Sequence, residues 1–113
     1  MKYNYFEPEI QWKASQFYKL FIWIGYENLT TYENQLGSVV VLAEDLEQAR
    51  WFMRQAEAIN YKADVFEHLP TLTFRLASQQ RGIRPFVLVC PSDGDLKKYL
   101  LKQGDIVLDR FKG

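Results

Sequence analysis

One thiol and one imidazole occur in the chain, and together these groups form the nucleophile–base pair of thiol enzymes. Cys90 ends the apolar run FVLVC just before PSDGD, where the amides of a predicted helix N-terminus can stabilise a thiolate. His68 lies in FEHLP, at the end of another predicted strand, and nothing near Cys90 in the sequence supplies a base. Because buried cysteines are common and inert, we expect no enzyme, and a thiol enzyme using Cys90 is the third of three functional hypotheses.

Metal ligands and cofactor motifs are also sparse. The DGD segment at 93–95 lacks the glutamate that a calcium loop requires at a fixed offset. The acids of EDLE at 44–47 are explained by the dipole of a helix that begins there. The six glycines are scattered and form no phosphate-cradling loop. We therefore predict no metal site and no cofactor.

A basic segment offers a different chemistry. No acidic residue occurs from His68 to Ser92, a stretch that contains Arg75, Arg81 and Arg84. A loop at 75–84 with these arginines and two glutamines can grip phosphates, so nucleic-acid or nucleotide binding is the alternative function. Three charges are few beside the about six to ten phosphate contacts of a salt-sensitive binder. We favour the simpler explanation, in which the arginines are solvated or pair with acids of the N-terminal half.

Composition narrows the class of protein. The 113 residues suit a single domain, and 48 % apolar residues are enough to build a core. Basic and acidic residues balance at 14 each, so no net field favours nucleic acid or a membrane. The longest apolar stretch, LFIWI, is far shorter than the roughly 20 residues that span a bilayer. With one cysteine and no apolar leader in MKYNYFEPEI, we expect a cytoplasmic protein.

An α+β domain must position these residues. Apolar or alternating runs predict strands at 16–27, 38–43, 63–68, 71–77, 86–90 and 105–111. Helices are predicted at 44–59, which begins with acidic residues, and at 91–104, which begins near a capping serine and ends at a glycine. The order β-β-α-β-(β)-β-α-β, with 71–77 as the optional strand, predicts a mixed sheet of five to six strands with both helices on one face. The first helix would form a parallel βαβ crossover.

Trp51 lies on the unexpected side of the first helix. At 100° per residue, one apolar sector contains Leu46, Ala49, Phe52, Met53, Ala56 and Ile59. Trp51 lies about 150° from the centre of that sector, between Glu47 and Arg54. The indole either packs against these neighbours, or is covered by the N-terminal arm, or contacts a partner protein, because Trp, Tyr and Arg dominate interface energetics.

The N-terminal arm, residues 1–15, has four aromatic residues in its first twelve. It either packs on its own domain, which we favour, or adds to a partner's sheet or a homodimer contact. Our main hypothesis is a small non-catalytic regulatory protein that binds another protein. An accessory subunit or an inhibitor of the kind that phages and other mobile elements carry fits this description. The predicted partner-binding residues are Trp51, Arg54, Glu47, Tyr5 and Trp12.

Overall fold

The structure is a computed structural model that describes residues 4–8, 18–26, 29, 37–60, 62–76, 84–90 and 108–110. Within these ranges, the strands are β1 (Asn4–Phe6), β2 (Lys19–Tyr26), β3 (Gly37–Ala43), β4 (Leu72–Leu76), β5 (Phe86–Cys90) and β6 (Leu108–Arg110). One α-helix, α1 (Leu46–Gln55), and a 3-10 helix (Asp64–Phe66) lie between β3 and β4 in the described part of the chain. The protein therefore has the predicted α+β character.

The central strands are β2 and β3. The described strands form one sheet in the order β1-β5-β3-β2-β4-β6, and each neighbouring pair is antiparallel. In β2, Leu20 lies opposite Leu42 of β3 on one side and opposite Phe74 of β4 on the other. A strand with two neighbours and two covered faces must be apolar nearly throughout, which explains the run LFIWI.

Alternate side chains of the central strands enter two apolar clusters, one on each face of the sheet. On the first face, Trp23, Val39 and Val89 pack in one cluster with Phe52 and Met53 of α1. The second face has its own set of buried side chains. They are Tyr18, Leu20, Ile22, Val40, Leu42, Phe86, Leu88 and Cys90. The two clusters follow from the period-two alternation of strand side chains.

Two predictions about the sheet are wrong. The sheet is antiparallel in every described pair, whereas a mixed sheet was expected. The helix α1 does join two strands of the same direction, β3 and β4, because both are antiparallel to β2. The predicted βαβ unit is nevertheless wrong, because its second strand, 63–68, contains a 3-10 helix and because β2 separates β3 from β4.

The segment 63–68 is not a strand. The Asn60 side chain accepts a hydrogen bond from the Lys62 N–H at 3.1 Å, and its carbonyl accepts one from the Ala63 N–H at 2.9 Å. This turn leads into the 3-10 helix, in which Val65 is fully buried. Both edges of β2 are paired, one with β3 and the other with β4, so no edge of β2 is available to this segment. Val65 therefore enters the core from the 3-10 helix and not from a strand.

The other predicted strands are confirmed within the described residues. The optional strand 71–77 is β4, which lies between β2 and β6. The run FVLVC is β5, and residues 108–110 of the last predicted strand form β6. The six strands include Asn4–Phe6 of the N-terminal arm in place of 63–68. The helix predicted at 91–104 lies outside the described residues.

The helix α1 is shorter than the predicted 44–59 and is capped at its start. The Asp45 carboxylate accepts a hydrogen bond from the Gln48 N–H at 2.7 Å. The Gln48 side chain in turn accepts one from the Glu44 N–H at 2.8 Å, so two backbone donors at the start of the helix are satisfied. The helix ends at Gln55, and the N–H of the next residue, Ala56, donates to the Met53 carbonyl.

Candidate functional site

Trp51 projects outward from α1, as its position in the helical sequence predicts. Half of its surface, 50 %, is exposed, while the adjacent Phe52 is fully buried under the helix. The two rings are tilted against each other with their centroids 5.6 Å apart. Among the described residues, the other large apolar side chains that are exposed are Tyr5 and Leu69. Glu47, one turn before Trp51, is also exposed.

The segment that follows α1 contacts two arginines of the helix, Arg50 and Arg54. The guanidinium of Arg54 lies 5.5 Å from the centre of the Phe66 ring, so its cation–π contact is with Phe66 and not with the indole. The guanidinium of Arg50 donates a hydrogen bond to the His68 carbonyl at 3.3 Å. Leu69, the next residue, is 72 % exposed. We call Arg50, Trp51, Arg54 and Leu69 the Trp51 surface.

A hydrogen bond from the core fixes one border of this surface. The indole N–H of Trp23, a fully buried side chain of β2, donates to the His68 carbonyl at 3.0 Å. The same carbonyl accepts the bond from Arg50, so it is tied to the sheet and to α1 at once. The two residues are 45 positions apart and no local pattern relates them, so sequence alone does not predict this contact.

A bulge in β2 brings Tyr26 to the same border. Trp23 lies opposite Val39 and Tyr26 opposite Gly37, so β2 has one extra residue between these pairs. Gly25 accommodates the extra residue with a φ of +76°. The inserted residue reverses the alternation, and Tyr26 therefore packs against the same cluster as Trp23. Its ring meets the His68 ring edge-on at 5.8 Å, and burial raises the pKa of Tyr26.

The thiol and the imidazole are not brought together. Cys90 is fully buried in the cluster on the face of the sheet that is turned away from α1. His68 is exposed and contacts Tyr26 on the α1 side. A thiol without exposed surface cannot reach a substrate, so the geometry makes Cys90 a core side chain and does not support the thiol-enzyme hypothesis.

The three arginines predicted to bind phosphates have different outcomes. Arg84 is exposed, and its guanidinium lies 3.9 Å from the carboxylate of Glu7, an acid of the N-terminal half. This contact agrees with the simpler explanation, although an exposed pair of this length contributes little to stability. The backbone of Arg75 lies in β4, opposite Lys19 of β2. Arg81 lies outside the described residues.

Tyr5 belongs to a different surface from Trp51. Residues 4–6 of the arm form the edge strand β1, so this part packs on its own domain as we expected. The Tyr5 ring stacks on Phe86, a member of the cluster on the face away from α1, with centroids 5.5 Å apart. Its hydroxyl donates to Glu7 at 3.0 Å. Partial burial, this bond and the charge of Glu7 raise the pKa of Tyr5 to about 12, against an opposing effect of Arg84. Trp12 lies outside the described residues.

Two further observations concern metals and membranes. The described residues contain no group of three or more His, Cys, Asp or Glu side chains that could hold a metal ion. None of the helices in the described ranges has the length and apolar character needed to cross a bilayer.

In comparisons with known proteins, the chain matches no family model, no curated protein and no solved structure.

Proposed function

We propose that this protein is a small non-catalytic interaction module that binds another protein through the Trp51 surface. The observation that supports the proposal is the half-exposed indole on a helix whose opposite face buries Ala49, Phe52 and Met53. Transfer of apolar surface from water into an interface is favourable, and burial of the exposed indole by a partner would gain about 25 cal/mol for each Å² of apolar surface. Tryptophan and arginine are also the side chains that most often dominate binding energy in protein interfaces.

The surface is preorganised for such a contact. The helix that carries Trp51 is capped by Asp45 and held to the sheet by Phe52 and Met53. The neighbouring segment is fixed at the His68 carbonyl, which accepts hydrogen bonds from the sheet and from the helix. A rigid surface loses little conformational entropy when it binds, so more of the contact energy is available as affinity.

Binding without catalysis is the mode of action of an accessory subunit and of an inhibitor. Both act by occupying a surface of another protein. This proposal includes a role as an inhibitor of the kind that phages and other mobile elements carry. Such an inhibitor needs no chemistry beyond the contact itself.

Affinity capture from an extract of the native host tests the proposal. The immobilised wild type is compared with Trp51→Ala and with Tyr5→Ala, which removes an aromatic side chain of similar exposure on the other face of the sheet. We expect a specific protein to be retained by the wild type and by Tyr5→Ala, and to be reduced at least about tenfold by Trp51→Ala, in line with a hot-spot residue. Equal retention by Trp51→Ala, with its fold intact by circular dichroism, would contradict the proposal.

A further inference from the structure

Arg50 and Arg54 are two like charges one turn apart on α1. Like charges at this spacing destabilise a helix unless opposite charges compensate them. The Arg50 guanidinium binds the uncharged His68 carbonyl, and the Arg54 guanidinium lies over the Phe66 ring. In the described part of the chain, no carboxylate lies within salt-bridge distance of either guanidinium. The buried Nε of Arg50 also has no hydrogen-bond partner there.

Acidic side chains occur nearby but do not neutralise the pair. Glu47 and Glu57 lie toward the two ends of the helix, and Asp64 and Glu67 lie at the ends of the 3-10 turn. All four are exposed. Because these four exposed acids belong to the same helix and the turn that follows it, a partner's negative charge is attracted only where it approaches both guanidinia closely. The attraction is therefore local and does not extend to acidic surfaces in general.

On the basis of the proposed function, we infer that the partner supplies a linear segment in which a carboxylate lies two residues from an apolar side chain, so that both point to the same side of the extended segment. The carboxylate would lie between Arg50 and Arg54, and the apolar side chain would cover Trp51 and Leu69. Side chains one helical turn apart are separated by about 5–6 Å at Cβ. An extended segment advances about 3.3 Å per residue, so side chains two residues apart in the segment match the spacing between neighbouring side chains on the helix. Guanidinium groups also match the fork geometry of carboxylates.

Three synthetic peptide pools test this inference with the full-length protein. All peptides have a central Phe or Leu, and the flanking residues are Asp and Glu, Ser and Gly, or Lys and Arg. By fluorescence anisotropy, we expect the wild type to bind the acidic pool at least about fivefold more tightly than the neutral pool, and we expect this margin to decrease as salt is raised.

Two substitutions of Arg54 and one control define the charge effect. Arg54→Gln should abolish the preference for the acidic pool, and Arg54→Glu should reverse it. Arg84→Glu makes the same change of charge at an exposed arginine that pairs with Glu7 beside β1, and it should retain the preference. An acidic preference that persists in both Arg54 variants, with the fold intact, would overturn the inference.

Trp51→Ala separates the inference from the proposed function. If the wild type binds acidic and neutral pools equally and Trp51→Ala weakens both, the surface binds apolar segments without a charge preference. That result overturns the inference and leaves the proposed function intact. If Trp51→Ala leaves the binding of every pool unchanged, both are overturned. If no pool binds, the inference is overturned, and the capture experiment alone decides the proposed function.

Discussion

Replacement of Trp23 by Phe tests the link between the core and the border of the Trp51 surface. The smaller ring loses the indole N–H that binds the His68 carbonyl at 3.0 Å. An intramolecular hydrogen bond contributes about 1 kcal/mol net, and the carbonyl keeps its second donor, Arg50. The change also removes apolar volume equivalent to about two methylene groups at roughly 0.8 kcal/mol each from a fully buried site. We therefore expect Trp23→Phe to reduce the free energy of unfolding by about 2–3 kcal/mol.

Equilibrium unfolding in urea measures this loss. The matched control is Trp51→Phe, which should change the free energy of unfolding by less than about 0.5 kcal/mol because that ring is half exposed. Amide hydrogen exchange of Glu67 to Leu69 should accelerate in Trp23→Phe and stay unchanged in the control. A loss below about 1 kcal/mol for Trp23→Phe, or equal losses for the two variants, would refute the role assigned to the buried indole.

Three other predictions concern the bulge, the helix cap and the edge strand. Gly25→Ala should lower the free energy of unfolding by about 1–2 kcal/mol, because its φ of +76° strains a residue with a Cβ. No atom lies within 4 Å of the added Cβ, so backbone strain is the whole cost, and Gly25→Asn should cost less. Equal losses for the two variants in urea would argue against strain. Asp45→Ala should cost about 1 kcal/mol in thermal unfolding, since the N–H of Gln48 loses its acceptor, and an unchanged Tm would contradict this. The pKa of Tyr5, about 12, lies above the unfolded value of about 10, so its stabilising effect is complete below pH 10 and is lost as the pH rises toward 12. Tyrosinate absorbance should show Tyr5 ionising at lower pH in Glu7→Gln, and an unshifted titration would exclude the influence of Glu7.

Local patterns were sufficient for the elements with a continuous apolar or amphipathic sequence. The runs around Trp23, Val40 and Leu88 identified three inner strands, because a strand covered on both faces has few polar positions. The helical period likewise placed Trp51 away from the core. These features depend on residues within one element, so a single segment carries the whole signal.

Nonlocal competition explains the errors. The segment around Val65 has the alternation of a short strand, but β2 has its two neighbours in β3 and β4. The direction of the sheet was wrong for a related reason: the strand paired beside β2 is β4, and no pattern within either strand reveals that pairing. The hydrogen bond from Trp23 to His68 and the cation–π contact of Arg54 with Phe66 also join separate segments, so only the folded chain shows them.

Hydroxyl-radical footprinting of the protein, alone and with the captured partner, tests the central claim most directly. In the free protein, oxidation detected by mass spectrometry should be rapid at Trp51 and slow at the buried Trp23, which serves as the internal standard. We expect Trp51 and Leu69 to become protected in the complex, while Tyr5 on the other face is oxidised as before. Equal oxidation of Trp51 with and without the partner would show that the partner binds elsewhere.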